Sequence, residues 1–537
     1  MNVNYWRGVW DRARNLPDYL FRPNMKTVRI PLVGSPHHRQ FADSDTFPAI
    51  STLDQRFVNV IFKRDLNPLT GAQRLRVCKR PGTDTGTAAT TDITGNPYCV
   101  TDVEPTSGGG IRLFGVWKTL ADANKVRFSL TGVGYANPTV TGNAGASRAL
   151  RYGNSNILFW VVAAVAANRK AFYNASAGEI TDADFPIATI VGNFVYMDGY
   201  AFIMVGGTGR IYNSDVNDVT AWTSTSFLTT QTGNDGRGLA LLRDKIAAFG
   251  GDYIEFYENV GNSPGSPLQQ IDHLRLNGYG LAGDDVPLTA ADEPGHRVLE
   301  AMNTVFWINN SNLETGPGVY MMEGFSPKKI SSPDVDYDLS RHLDTSLKIL
   351  GIIELFGMRF LLISTGDQST DYVWAYCFEL GSWTTWESAF WANAHAANNN
   401  PARDAGTNEV IITAGTEHFK IDIESLLSTD ISYTDDGSAY TATIQTRNID
   451  FDNNRKKFWR RFTLIGADSR EASATNVSWS DDDGQTWSTA RALDMNDGRP
   501  STTRLGASRR RQWRITNAAD APFEAEAMEL TFTVGAH

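Results

Sequence analysis

The chain has 537 residues, 41% apolar and 20% charged, a composition that excludes an intrinsically disordered protein and leaves room for two to four domains of roughly 100–200 residues. Its formal charge of −11 argues against a protein that wraps nucleic acid, since phosphate binding rests on an excess of Lys and Arg. Its three cysteines, Cys78, Cys99 and Cys377, are too few and too scattered for a disulfide framework or a zinc site. The longest apolar run, 157–167, is far short of the ~20 residues a spanning helix needs, so no membrane span is expected.

Residues 1–95 read as an extended N-terminal arm with the first strands. A short amphipathic helix is expected near 5–14, with Trp6, Val9 and Trp10 on one face and Pro17 beyond its end. His37-His38 is an isolated pair in a polar loop and no metal site. Further on, Asn67-Pro68-Leu69-Thr70-Gly71 is a turn between two alternating runs, 57–62 and 75–78.

Residues 96–435 repeat a module of one apolar strand, a turn and a second strand that often carries an aromatic. Its copies are 111–117 with 126–130, 157–162 with 171–173, 194–205 with 209–212, and 246–249 with 253–257. The rest are 304–308 with 318–322, 360–363 with 372–379, and 409–413 with 418–421. A period of about 40–55 residues with several short strands is the pattern of a β-propeller, here of six to eight blades. Unrelated hairpins in two sandwiches are the alternative. Residues 436–537 alternate differently, with strands at 441–446, 457–465, 476–480, 511–515 and 528–534, and read as a C-terminal β-sandwich. The fold class is therefore all-β.

Within that last segment, Ser480-Asp481-Asp482-Asp483-Gly484-Gln485-Thr486-Trp487 matches the Asp-box pattern S-x-D-x-G-x-T-W at every fixed position. Ser480, Asp482, Gly484, Thr486 and Trp487 are expected to build a structural hairpin turn, with Asp482 accepting turn N–H groups and Gly484 supplying a positive φ. The three carboxylates lack the alternating ligands of a calcium loop. A degenerate relative of the turn lies at 214–222. Asp boxes also occur in sialidases, and Arg29-Ile30-Pro31 resembles a segment near the start of those enzymes. A single clean box outside the repeats, and no arginine triad with a Tyr and Glu, speak against that activity.

Two basic clusters interleaved with Trp stand out. One is Arg455, Lys456, Lys457, Trp459, Arg460 and Arg461; the other is Arg509, Arg510, Arg511, Trp513 and Arg514. They are candidates for a subunit interface that meets acidic surface on a neighbour, with plain surface and nucleic-acid contact as alternatives. The motifs G-x-S-x-G, H-E-x-x-H and the P-loop are absent. No catalytic residue, metal or cofactor is assigned.

Several segments taken in order resemble the packaged-DNA stabilisation, or tail hub and nozzle, proteins of short-tailed bacteriophages. They are Arg56-Phe57-Val58-Asn59-Val60 with the following turn and Lys79-Arg80-Pro81-Gly82; 242–250 with 254–257 and 267–271; 305–308 with 319–320 and 327–331; Gly381-Ser382-Trp383-Thr384-Thr385-Trp386-Glu387-Ser388; and 478–487 through 511–515. The resemblance implies a propeller protein of the virion tail, made in the host bacterial cytoplasm and assembled as a homo-oligomeric ring, six-fold as a rule. It implies portal and adaptor proteins above, tail fibre or needle proteins as further partners, and duplex DNA retained, then passed through the channel without tight binding. The rival expectation is a propeller glycosidase or a lectin-like protein acting on host surface polysaccharide.

Overall fold

The computed structural model describes residues 25–33, 56–66 and 73–85, and the strands between 96 and 184 by their pairing. It also describes 191–535, apart from the loops 206–207, 232–235, 263–264, 284–296, 343–346, 366–371, 396–401, 404–409, 422–431 and 467–473 and positions 311, 393, 415–416, 452–453 and 498. The expected helix near 5–14 and the His37-His38 pair lie outside the described residues. The chain forms two compact units, one of residues 81–440 and one of residues 1–80 with 441–537.

The larger unit is a β-propeller. Five four-stranded antiparallel sheets follow one another along the chain, spanning 96–136, 147–184, 191–229, 236–277 and 298–329, and four further antiparallel strands in sequence over 348–387, part of a larger sheet, make the sixth blade. A seventh is made by Ala394–His395, Val410–Ala414 and Glu417–Ile421 together with Thr83–Thr85, which pairs antiparallel with Glu417–Ile421. The first strand of each sheet neighbours the first strand of the next, and that of the seventh neighbours that of the first. The circle therefore closes, with first strands innermost. Seven blades among the described residues fall within the expected range of six to eight.

Closure depends on a close backbone approach. A Cβ on Gly82 would stand 2.1 Å from the Thr434 carbonyl oxygen, a distance only glycine permits. From there Gly82 N–H donates to Ser432 O (3.0 Å) and Asp436 N–H to Thr83 O (2.9 Å). Asp435 accepts from Thr83 Oγ1 (3.2 Å) and Ser388 Oγ (2.6 Å), tying the closing strand to the end of blade six.

Between blades the cores are apolar. Phe249, Ile254 and Phe256 of blade four pack on Val305, Trp307 and Tyr320 of blade five, with Trp307 stacked on Tyr320 at 5.5 Å. The linker between these blades is held by two buried arginines. Arg237 Nη1 donates to Leu281 O and Gly283 O (both 2.8 Å), and Arg297 Nη1 donates to Ala282 O (2.7 Å). Three successive carbonyls that would otherwise be orphaned in the interior are thereby satisfied.

On the inner strand of blade five, Glu300 Oε2 accepts the Leu241 N–H of blade four's inner strand (3.1 Å). Burial pushes the Glu300 carboxyl up to about 7, although the Leu241 hydrogen bond opposes the shift. A carboxyl whose folded pKa is raised costs stability as pH climbs from its ordinary value towards the folded one, and the cost is complete above about 7. Glu300→Gln is therefore expected to flatten the pH dependence of stability across this window and to be more stable than the parent at pH 8. The gain is at most about 3 kcal/mol, read from urea midpoints at pH 5 and pH 8.

The smaller unit corrects the expected boundaries. The N-terminal segment is not a separate arm throughout, because four of its strands join the C-terminal sandwich. Met25–Pro31 pairs antiparallel with Glu524–Val534 over seven positions, and Gln73–Lys79 meets the same strand at Val77 and Cys78. Arg56–Val58 pairs with Ala442–Gln445 in the other sheet. The physical reason is plain in the contacts. Burial alone would push the Glu524 carboxyl up, but Lys63 (2.8 Å) and Arg76 (2.7 Å) outweigh it and hold it below the ordinary range. Asn59, at a φ of 53°, accepts Arg80 Nε (3.1 Å) and donates to Thr441 O (3.1 Å), while buried Lys79 donates to Ala519 O (2.7 Å). The two sheets enclose Trp459, Phe462, Trp513 and Phe532, with Phe462 and Trp513 at 4.9 Å.

Candidate functional site

The Asp-box hairpin begins where the strand Ala474–Ser480 ends. Ser480 Oγ donates to Asp482 Oδ1 (2.7 Å) and accepts the Gly484 N–H (2.9 Å). Asp482 then accepts the Thr486 N–H (2.9 Å) and the Thr486 hydroxyl. Gly484 takes a φ of 83°, and Trp487 Nε1 donates to its carbonyl (3.1 Å). The Thr486 hydroxyl and N–H, with Ser480, hold the Asp482 carboxyl down at about 2, so the turn keeps its anion at any ordinary pH. Every Asp482 contact serves the turn, which gives it no substrate-facing role. The degenerate copy in blade three is built differently, with the buried Ser214 hydroxyl accepting the Ala201 N–H (2.9 Å) of a neighbouring strand.

Trp487 does more than cover the turn. The Arg514 guanidinium lies 3.6 Å from its ring centroid, a close cation–π stack. Trp487→Ala is expected to lower the stability of this unit by about 1–2 kcal/mol, and Trp487→Phe by less, in chemical denaturation.

The basic clusters are split by the structure. Lys457, Trp459, Arg511 and Trp513 are buried. Lys457 Nζ donates to Arg509 O (2.7 Å) and Arg455 O (3.1 Å). Arg511 forms a two-pronged pair with Asp481 (2.7 and 2.8 Å), donates to Leu505 O (2.7 Å), and lies 5.1–5.4 Å from the ring centroids of Trp459, Trp479 and Trp513. Half-exposed Arg510 pairs with Asp483. Asp481 and Asp483 are thus engaged within this chain, and Lys457, Trp459, Arg511 and Trp513 are corrected from interface to core. The physical reason is strand alternation, which turns every second residue inward against the Trp cluster. Exposed residues remain at Arg455, Lys456, Arg460, Arg461 and Arg509, with Phe458 beside them, and Arg514 is half-buried.

Arg29, the residue reminiscent of sialidases, pairs with Glu526 (2.6 Å) on the neighbouring strand and holds the sheet edge. Cys78 and Cys377 are buried, and burial pushes the Cys377 thiol up to about 12, so it does not ionise near neutrality. Among the described residues no group of three His, Cys, Asp or Glu is placed to hold a metal ion, and no helix is long and apolar enough to cross a membrane.

Charge is divided sharply between the units. Residues 1–80 with 441–537 contain 28 Lys and Arg against 19 Asp and Glu, a formal +9; residues 81–440 contain 21 against 41, a formal −20. The overall −11 conceals this polarity, and reading the chain as uniformly acidic missed it. A count by segment carries the signal.

The described strands make a seven-bladed β-propeller, with a second, basic β-sandwich unit beside it in the chain. Residues 139–400, from just before blade two to the start of blade seven, match the phage stabilisation family model, described as Bacteriophage P22 Gp10, beta-propeller. That is the family its sequence motifs resemble. No curated protein matches the chain. Among solved structures, exo-beta-1,3-galactanase from Phanerochaete chrysosporium is similar at 11% identity over 84% of this chain and 99% of that one, with a TM-score of 0.28. PorZ, a surface component of the type-IX secretion system of Porphyromonas gingivalis, is similar at 9% identity over 76% of this chain and 46% of that one, with a TM-score of 0.33. Likenesses this distant have no bearing on function.

Proposed function

We propose that the chain is a structural, non-enzymatic protein of a short-tailed phage virion, a tail hub or nozzle subunit. It forms a ring, six-fold by the family resemblance, that continues the DNA channel below the portal and adaptor. There it retains packaged DNA and passes it at ejection. The observation that carries this reading is the family match over blades two to six. The division of charge supports it. An acidic propeller repels phosphate at close range, and the repulsion fades over roughly 8–10 Å at physiological salt, so DNA near that unit slides rather than sticks. The basic unit is left for contacts with protein partners. Cryo-electron microscopy of the tail tests the reading. A closed ring of about six propellers coaxial with the DNA is the expected result, and copies placed singly at the tip, away from the DNA path, would overturn it.

A further inference from the structure

Among the described residues, six large apolar side chains stand exposed, and five of them lie on two surfaces. Met25 (64% exposed) and Phe458 (42%) occupy one cross-strand row of the smaller unit, each opposite Thr533 from its own side. The next row is Thr27, Thr531 and Arg461, with Arg460 at the adjoining bulge. This is the outward face of the sheet, opposite buried Trp459 and Phe462, and its exposed charges beside Phe458 are cationic.

The other surface is one end of the propeller. In a four-stranded meander, the turn between the first two strands and the turn between the last two fall at the same end. Val216, Val260 and Met302 lie in such turns of blades three, four and five. The turns touch one another. Asn217 N–H donates to Gly199 O (2.8 Å), Asn259 of blade four donates to Asp198 of blade three (3.2 Å), and Arg359 of blade six reaches Met302 Sδ of blade five (3.8 Å). Three turn residues here, Arg243, Met302 and Phe356, take φ values of 60°, 55° and 53°. Asn, Asp or Gly fits that conformation better, so local turn geometry does not account for these long side chains. Observed strain of this kind points to use at a contact. Exposed Asp198, Asp215, Asp244 and Glu323 rim the face; Asp244 is paired with Lys245 (2.7 Å) and Glu323 with Lys328 (3.0 Å), and Arg243 is exposed beside them, so the net acidic character rests on Asp198 and Asp215 of blade three.

We propose that the turn end of blades three to five is the docking surface for the Met25–Phe458 sheet face of a second copy of this chain. Arg460 and Arg461 would face the acidic rim, and the five exposed apolar side chains would meet inside it. The proposal rests on the ring reading and names its interface. Charge complementarity between the two faces selects a second copy as occupant, because the basic face and the acidic face belong to the same chain and form a head-to-tail contact that repeats around a closed ring. Exposed Tyr337 lies at the opposite end of the blades and takes no part.

The test uses tail particles assembled with full-length variants. Arg460→Glu with Arg461→Glu alters the sheet face, Asp215→Lys with Asp244→Lys alters the turn face, and a third chain carries all four changes. Phe458→Ser and Met302→Ser probe the apolar contact without changing charge, and melting curves of the purified variants separate loss of docking from loss of folding. Each two-residue reversal is expected to lower the copies per particle roughly tenfold with folding intact, and the four-residue chain to recover them, since it restores opposite charge at every interface. Parental occupancy in both reversals and both Ser variants overturns the docking surface and leaves the ring reading standing. Loss without recovery in the four-residue chain overturns the pairing of these two faces. A parental particle without a closed ring overturns both readings.

Discussion

Arg511→Leu is expected to unfold the smaller unit first and to cost it between about 2 and 4 kcal/mol, the lower part of the range for a broken buried pair because Asp481 keeps access to water. Arg511 is 1% exposed, and its removal strands the Leu505 carbonyl and leaves the guanidinium-sized space among Trp459, Trp479 and Trp513 to be filled. Arg510→Ala serves as the comparison. Its side chain is 49% exposed, and losing its pair with Asp483 should change stability by less than about 1 kcal/mol. Tryptophan fluorescence during urea unfolding reads both variants. Equal midpoints for the two would mean that Arg511 is as dispensable as a surface cation. Reversing Arg509, Arg510 and Arg511 together is thus a folding lesion before it is an assembly lesion.

The second large effect is expected at Trp307. This residue is wholly buried between blades four and five, tilted against Phe249 at 5.8 Å and stacked on Tyr320 at 5.5 Å. Trp307→Ala empties space that a closed circle of blades cannot easily collapse into, and a loss of about 3–5 kcal/mol is expected in denaturant midpoints of the propeller. Trp307→Phe should recover more than half of it. If the Ala and Phe variants unfold together near the parental midpoint, the inter-blade core is not what holds the circle shut.

The propeller was legible in the sequence because of its middle strands. Thr304–Asn309 and Gly318–Glu323 of blade five are covered on both faces, so they read as apolar runs with a turn between. The outer strand Ser326–Lys329 is half in water and reads as a loop, while the inner strand Val298–Ala301 is only four residues long. Thr83–Thr85 closes the seventh blade with three polar residues that carry no pattern, and its partner lies more than 330 positions away. The same distance hid the smaller unit, since nothing local in Met25–Pro31 says that it pairs with Glu524–Val534. The Asp box was legible because a turn is local. The inward Arg511 was not, because spacing alone cannot tell an arginine facing water from one facing three indoles.

The non-local pairings set an order of events on the ribosome. Gln73–Lys79 emerges long before its partner strand Glu524–Val534, some 445 residues later. At bacterial elongation rates of about 5–20 residues per second, that wait is on the order of 20–90 s. The propeller can lock once Glu417–Ile421 and Thr434–Asp435 have been made and have received Thr83–Thr85. Until the final strand appears, 25–31 has no partner, and 60–66 and 73–79 can form only their own hairpin; strands held open in this way invite pairing with other nascent chains. The earliest strands to be translated are therefore among the last to fold.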